Sequence, residues 1–160
     1  MIRFVPGVAE VLTADMGDGR VALRFRDKAF ERDFIARVVS DGTIKMFAYL
    51  ALLHDPDPHP LLCIEEPENH LYPTLLVILS EQFSQYASRR KDKGQVFVTT
   101  HSPDFLNEVE LNSIYFLRKS EGFTKIRRAS DDPQLQDLIN EGDKPGWLWR
   151  QRLFGNIDPC

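Results

Sequence analysis

The chain has 160 residues, 42% of them hydrophobic and 28% charged, which is ordinary for one soluble domain with its own core. Its formal net charge of −4 argues against a surface that coats nucleic acid generally, while permitting a local basic patch. No apolar run approaches the roughly 20 residues that span a bilayer, and no secretory pattern opens the sequence. The two cysteines, Cys63 and Cys160, make no disulfide framework, so we expect a reduced cytoplasmic protein with no membrane partner.

The first third of the chain predicts a β-hairpin and then a buried helix. Residues 8–14 and 20–26 carry alternating apolar side chains on either side of a turn rich in Gly and Asp. Residues 44–53 are apolar at nearly every position except Lys45, which predicts a helix buried almost all round. Ser40 or Asp41 can cap the N-terminus of this helix.

The central stretch of the chain runs from an apolar segment directly into two acids. Residues 61–64 are Leu-Leu-Cys-Ile, flanked by prolines, and predict a short strand buried on both faces. Glu65 and Glu66 follow at its C-terminal end, where open α/β sheets bind their ligands. Two adjacent carboxylates there can hold a cation and orient a water, although acids that are simply solvated would also fit.

The remaining elements alternate between helix and strand. Residues 74–90 predict an amphipathic helix that begins at Pro73 and ends in a basic run, either a solvated helix end or a DNA patch. A second buried strand is predicted over 95–100, and Ser102 caps a brief helix through residue 109. Further predictions are strands at 114–117 and 123–128, a short helix around 135–139, and an amphipathic aromatic tail over 146–154.

Two more positions carry chemistry beside the acid pair. At Ser40-Asp41-Gly42 a helix N-terminus offers backbone N–H groups and a glycine that lets an anion approach, although an ordinary cap and turn has the same sequence. His101, after the second strand, could contact a phosphate or a water, or be structural. Together with Glu65 and Glu66, these positions favour phosphoryl chemistry.

In chain order the motifs are Ser-Asp-Gly-Thr, then Glu-Glu-Pro-Glu-Asn-His-Leu after an apolar strand, then Val-Phe-Val-Thr-Thr-His-Ser-Pro. This order resembles the C-terminal half of an ABC-type ATPase head. Among such heads it resembles the RecF/SMC-like predicted AAA-family ATPases, including the overcoming-lysogenisation-defect and defence-associated branch. The resemblance covers roughly residues 35–118. It implies an α/β, P-loop NTPase-like fold of three layers, with ATP and Mg²⁺ as ligands.

The resemblance also implies a role for each matching residue. Glu65 ends the Walker B strand and holds Mg²⁺, Glu66 is the catalytic glutamate, and His101 is the switch histidine. The signature, which contacts the ATP of the partner head, corresponds to Ser40, Asp41, Gly42 and Thr43. The D-loop corresponds to Asn69 and His70. Two residues depart from the commonest pattern, because Glu65 stands where most ABC proteins have Asp and Asp41 replaces the first glycine of the signature.

No Gly-x-x-x-x-Gly-Lys-[Ser/Thr] loop occurs in the 160 residues, so nothing in them cradles the α- and β-phosphates. We therefore expect a fragment, a truncated gene or one piece of a split enzyme, with an apolar sheet edge exposed. We predict a single domain over 1–160. It comprises a hairpin lead-in (1–37), a core with signature, Walker B, D-loop and switch (38–129), and a C-terminal helical tail (130–160).

The expected function is ATP binding and hydrolysis by a dimeric head, in DNA repair or anti-phage defence. The expected partners are a second ATPase head or the missing N-terminal half, and DNA or a defence effector. The isolated chain is expected to be inactive. Two alternatives stay open: a non-catalytic half-head that acts as a partner module, and a metal-dependent hydrolase or nuclease built from Glu65, Glu66, Glu68, His70 and His101.

Overall fold

The computed structural model describes residues 4–155 except 6, 31 and 90–93. The chain divides into two compact units, Met1–Val98 and Thr99–Cys160, and each is described by itself. The prediction of one domain over residues 1–160 stays a prediction. Most of the basic run predicted after the long helix lies outside the described residues.

The first unit opens with an antiparallel sheet of three strands in the order β1-β2-β3. Its strands are β1 Val8–Asp15, β2 Val21–Asp27 and β3 Asp33–Ile35. In the β1–β2 turn, Asp15 accepts a hydrogen bond from the Gly17 amide at 2.8 Å, and Gly17 adopts a positive φ of 76°. Short polar residues and glycine favour such turns, and the predicted hairpin is confirmed.

Helix α1, Asp41–Leu53, follows the sheet and is capped by Ser40, whose side chain accepts from the Thr43 amide. The cap is confirmed, but burial almost all round is wrong. Met46, Leu50 and Leu53 are buried on one face, whereas Ala48 and Ala51 are exposed. The physical reason is that α1 packs along one stripe, where it contacts α2, Pro73–Arg89.

Strands β4, Leu61–Glu65, and β5, Gln95–Thr99, pair in a two-stranded sheet. Both predicted strands exist, but their burial on both faces is wrong. In β4 Leu62 and Ile64 are buried, whereas Leu61 is 49% exposed and Cys63 is also exposed. In β5 Phe97 is 59% exposed. Burial therefore follows the two-residue period of a half-covered sheet, because the described residues cover only one face.

Helix α2 confirms the predicted amphipathic helix. It begins at Pro73 and buries one face against the rest of the first unit, namely Leu76, Leu79, Phe83 and Tyr86. The hydroxyl of Tyr86 donates to the carbonyl oxygen of His59 at 2.6 Å, which ties α2 to the loop before β4. Among the described helices, none has both the length and the apolar character needed to cross a membrane.

In its described residues, 99–155, the second unit contains three short α-helices and a β-hairpin around its own core. The helices are α3 Pro103–Leu106, α4 Pro133–Asn140 and α5 Pro145–Arg150. Both predicted strands are present, as β6 Tyr115–Ser120 and β7 Phe123–Arg128, and the structure pairs them antiparallel. Helix α3 is shorter than predicted, but Ser102 caps it as expected. The buried core comprises Ile114, Phe116, Ala129, Leu135, Leu148 and Phe154.

Candidate functional site

The acid pair lies where the β4 strand ends and the chain turns. Strand alternation places Glu65 on the exposed face of β4 with Leu61 and Cys63, so its carboxylate reaches solvent. Glu66 is half-buried and has a φ of 41°, in the left-handed region that non-glycine residues rarely occupy. Pro67, fully buried, follows at once. Backbone strain of this kind persists only where neighbouring contacts hold it, and it is common at functional sites.

The turn after Glu66 supplies such contacts. The Asn69 amide N–H donates to the Glu66 carbonyl oxygen at 3.2 Å, and Asn69 Nδ2 donates to Glu66 Oε2 at 2.9 Å. The Leu71 amide donates to the Glu68 carbonyl oxygen at 3.0 Å, and His70 has a left-handed φ of 64°. Asn69 thus holds both the backbone and the carboxylate of Glu66.

Lys45 of α1 provides a contact that the sequence did not reveal. Its ammonium group donates to the carbonyl oxygens of Asn69 at 2.8 Å and of Glu66 at 3.3 Å. The same group lies 5.7 Å from the ring centroid of Tyr49, within cation–π range. The only hint in the sequence is a single lysine in an otherwise apolar helix. Lys45 therefore anchors the turn at both of its ends to the helix that begins at Ser40.

Tyr49 lies next to this contact, one turn further along α1. Burial and, to a smaller extent, the negative charge of Glu68 raise the pKa of Tyr49. Its ring also meets that of Phe83 edge to face at 6.0 Å. Tyr49 thus connects the polar turn to the apolar packing between α1 and α2.

The start of α1 contacts the same turn directly through Gly42. A Cβ atom on Gly42 would lie 2.6 Å from the carbonyl oxygen of His70 and 3.9 Å from a methyl carbon of Leu71. Only glycine permits this approach. The first unit therefore brings the Ser40–Thr43 segment and the turn containing Glu66, Asn69 and His70 together.

At the helix terminus itself, Ser40 and Thr43 hydroxyls are 2.9 Å apart, and Ser40 Oγ accepts from the Thr43 amide at 3.3 Å. Asp41 is exposed in the first turn. Ser40 therefore caps α1, as the capping interpretation of this segment predicted. Binding of a phosphate there stays a prediction.

His101 belongs to the second unit and is described there. Its exposed ring lies 6.5 Å from the ring of Trp149, with an interplanar angle of 39°. The Ser102 amide donates to Thr100 Oγ1 at 3.0 Å, and Ser102 Oγ accepts from the Phe105 amide, so the backbone after His101 is held by local contacts. A common site for His101 and the acid pair stays a prediction.

Among the described residues no three His, Cys, Asp or Glu side chains converge on a potential metal position. Glu65 nevertheless offers the hard oxygen donor that Mg²⁺ prefers. Magnesium is commonly held by one or two carboxylates, with waters and substrate phosphates completing its shell. The exposed carboxylate at the end of β4 fits such a partial ligand set.

Residues 3–107 match the family described as "AAA domain, putative AbiEii toxin, Type IV TA system". The chain belongs to this family. The match includes every residue predicted from the sequence to bind or act on ATP, and it ends before β6. The family resemblance predicted from the sequence, to AAA/ABC-like ATPases, is thus confirmed. ATP-binding NTPase character comes with the family.

A solved SMC ATPase chain has a similar fold, with a TM-score of 0.61, 14% sequence identity, and coverage of 88% of this chain and 85% of that one. It comes from work on ATP-driven dimerization and DNA stimulated activation of SMC ATPases. No curated protein matches the chain. The P-loop NTPase-like α/β fold class predicted for this AAA domain is confirmed.

Proposed function

We propose that this AAA domain supplies the metal-binding and water-orienting acids of a dimeric ABC-type ATPase head. The observation that carries the proposal is the geometry of Glu66. Its backbone is held in a left-handed conformation and its carboxylate is oriented by Asn69, directly after a strand whose last residue, Glu65, presents a second acid. In ATP hydrolysis the protein contributes mainly positioning and electrostatic stabilisation, and a fixed acid pair is suited to both tasks.

Each acid has a separate task. Glu65 would hold Mg²⁺ through its exposed carboxylate, and the ion would neutralise negative charge on the phosphate oxygens. The carboxylate of Glu66, oriented by Asn69, would accept a hydrogen bond from the attacking water. Because Asn69 and Lys45 hold the turn from two sides, the carboxylate keeps its direction while substrate exchanges.

The other predicted residues complete the scheme. Ser40 and the Gly42 amide reach the γ-phosphate of ATP on the partner head, with Asp41 and Thr43 flanking them. Asn69 and His70 form the D-loop that faces that partner. His101 contacts the γ-phosphate and distinguishes ATP from ADP. The support for these roles is the order of the motifs and their inclusion in the family match.

The missing or separate segment that supplies the Gly-x-x-x-x-Gly-Lys-[Ser/Thr] (Walker A) loop would cover the exposed face of β4 and β5. Leu61, Cys63 and Phe97 make this face apolar, and Glu65 lies at its end. Large apolar side chains exposed together commonly mark interaction surfaces. A segment that covers them, on the same polypeptide or on another, would carry the phosphate loop to the acid pair.

We place the ATPase cycle in DNA repair or anti-phage defence. The family description names a toxin of a toxin–antitoxin system, and the similar SMC ATPase is described with DNA stimulated activation. DNA or a defence effector is therefore the partner class that the cycle would act on.

The test is Glu66→Gln in the complete head, meaning these 160 residues together with the missing or separate segment that carries the Gly-x-x-x-x-Gly-Lys-[Ser/Thr] (Walker A) loop. Phosphate release from Mg·ATP should fall by at least about 100-fold, because the amide is a poor acceptor for the attacking water, while ATP binding persists. Glu81→Gln, an exposed acid on α2, is the matched control and should leave turnover unchanged.

Undiminished phosphate release by Glu66→Gln would remove Glu66 from the proposed role. Metal-dependent hydrolysis of nucleic acid by the 160-residue chain without ATP would instead support the metal-hydrolase alternative. The two outcomes are separated by adding or omitting ATP in the same assay.

A further inference from the structure

Trp149 lies next to the predicted switch histidine although 48 positions separate them along the chain. The two ring centroids are 6.5 Å apart with an interplanar angle of 39°, within the range of ring–ring interaction. His101 is exposed and Trp149 is half-buried. Trp149 also lies outside residues 3–107, so the family match says nothing about it.

The indole of Trp149 is held on another side by the core of the second unit. It meets Phe154 edge to face at 6.1 Å, and Phe154 meets Phe116 in the same manner at 5.8 Å. Both phenylalanines are buried. A continuous row of four rings therefore runs from the core to His101, and a side chain packed in this way has few alternative rotamers.

Helix α5, which carries Trp149, is docked closely against helix α3, which follows His101. The Gly146 amide of α5 donates to Asn107 Oδ1 at 2.9 Å. A Cβ atom on Gly146 would lie 2.6 Å from the carbonyl carbon of Pro103, the first residue of α3. Because α3 begins two residues after His101, this contact limits how far the histidine can move from α5.

The end of α5 brings Phe154 back against Trp149. The Arg152 amide donates to the Trp149 carbonyl oxygen at 2.9 Å, and the Leu153 amide donates to the Leu148 carbonyl oxygen at 3.1 Å. Arg152 has a left-handed φ of 61°. These are the two hydrogen bonds of a Schellman motif, which reverses the chain after a helix.

We propose that Trp149 is a positioning residue for His101, so that helix α5 sets the direction in which the imidazole presents itself. The consequence for catalysis rests on the proposed function, in which His101 contacts the γ-phosphate. The positioning itself does not, and it can be measured on the 160-residue chain without nucleotide.

The first experiment is NMR of the chain labelled at its two tryptophans and four histidines. His101→Ala removes an exposed ring without disturbing the core. It should shift the indole N–H resonance of Trp149 and leave that of Trp147, a 52% exposed residue on the same helix, unchanged. An unchanged Trp149 resonance would overturn the proposal.

The converse variants test the direction of the effect. Trp149→Leu should abolish the ring-current displacement of the His101 ring protons, Trp149→Phe should keep part of it, and Trp147→Leu should keep all of it. If Trp149→Leu unfolds the second unit, Trp149→Phe and His101→Ala still decide the question. If the chemical shifts of the His101 ring protons are the same in both Trp149 variants as in the wild-type chain, the proposal that Trp149 positions His101 is contradicted.

The second experiment measures ATP turnover by the complete head. Trp149→Leu should lower kcat about 10-fold with KM for ATP unchanged, Trp149→Phe should recover most of kcat, and His101→Ala combined with Trp149→Leu should be no slower than His101→Ala alone. If Trp149→Leu keeps the wild-type kcat while His101→Ala lowers it, the proposal that Trp149 positions His101 is wrong. Failure of Glu66→Gln to reduce turnover would overturn the proposed function and leave the NMR results standing.

Discussion

The segments that follow β4 and β5 are held in place by different forces. After β4, the turn containing Glu66 is held by polar contacts, from Lys45 to two backbone carbonyls and from Asn69 to the Glu66 carboxylate. After β5, the segment containing His101 lies against an aromatic row and a close helix–helix contact. Polar contacts thus hold the half-buried Glu66 side chain, whereas ring packing holds the exposed His101 ring. Each segment should therefore fail under a different kind of substitution.

The largest loss of stability should come from Gly146→Ala, which disturbs the packing of the segment that follows β5. The added methyl group has no space beside Pro103 and Asn107, so α5 must move away from α3. Overpacking of this kind costs about 1–3 kcal/mol, and we expect the upper end because the obstructing atoms include backbone. Urea unfolding followed by tryptophan fluorescence measures the loss of stability.

The control is Arg150→Ala, an exposed substitution in the same helix that should change stability by less than about 0.5 kcal/mol. Equal stability of Gly146→Ala and the wild-type chain would show that α5 does not depend on this contact. The His101 ring protons should also lose their displacement in Gly146→Ala.

A smaller loss of stability should come from Lys45→Met, which removes polar contacts from the segment that follows β4. The substitution keeps an unbranched side chain, one atom shorter than that of lysine, and removes both hydrogen bonds to the turn. Because water can reach the released carbonyls, we expect a loss of about 1–2 kcal/mol rather than the full cost of burying them unpaired. Amide exchange of Asn69 and Leu71 should accelerate more than that of helix α2.

Lys45→Arg restores a cation and should recover part of this loss, whereas Lys28→Met, on an exposed lysine after β2, should cost nothing measurable. Lys45→Met with unchanged exchange in the turn would show that Lys45 does not stabilise the turn.

The smallest effect concerns pH and Tyr49, where the polar turn meets apolar packing. Burial, and then the charge of Glu68, raise the pKa of Tyr49, so the folded state holds this proton more tightly than the unfolded state. The resulting stability is present below the ordinary tyrosine pKa of about 10 and is lost as pH rises through the raised value. Tyr49→Phe should therefore lose less stability than the wild-type chain between pH 9 and pH 11.

Tyr72→Phe is the matched control, because it removes the same hydroxyl from a tyrosine that is 74% exposed. Identical pH profiles for Tyr49→Phe and the wild-type chain would contradict the effect of burial on Tyr49.

Local signals in the sequence predicted most of the elements, because their causes lie within a few residues. Ser40 and Ser102 cap the helices that they were predicted to cap, and alternation predicted the hairpin of β1 and β2. The exposed faces of β4 and β5 could not be predicted from an apolar run, since burial depends on what covers a strand. The apolar runs predicted that Leu61 and Phe97 are core residues, but in the structure both are exposed.

The contacts that hold the candidate site were the least visible in the sequence. Lys45 reaches Glu66 and Asn69 across 21 and 24 positions, and no local pattern connects them. The same holds for Trp149 and His101. The acids themselves were found because two carboxylates after an apolar strand are unusual, whereas the groups that orient them depend on tertiary structure.

The contact between Gly42 and His70 also couples the two ends of the candidate site. Because the carbonyl oxygen of His70 fills the space beside Gly42, a ligand that shifts the start of α1 must shift this carbonyl too. The turn's hydrogen bonds then transmit the shift to Glu66. Such linkage is reciprocal: if an anion at Ser40 changes the affinity of Glu66 for its ligand by some factor, the ligand at Glu66 changes the affinity for the anion by the same factor. A single glycine would thus make two binding equilibria interdependent within one chain.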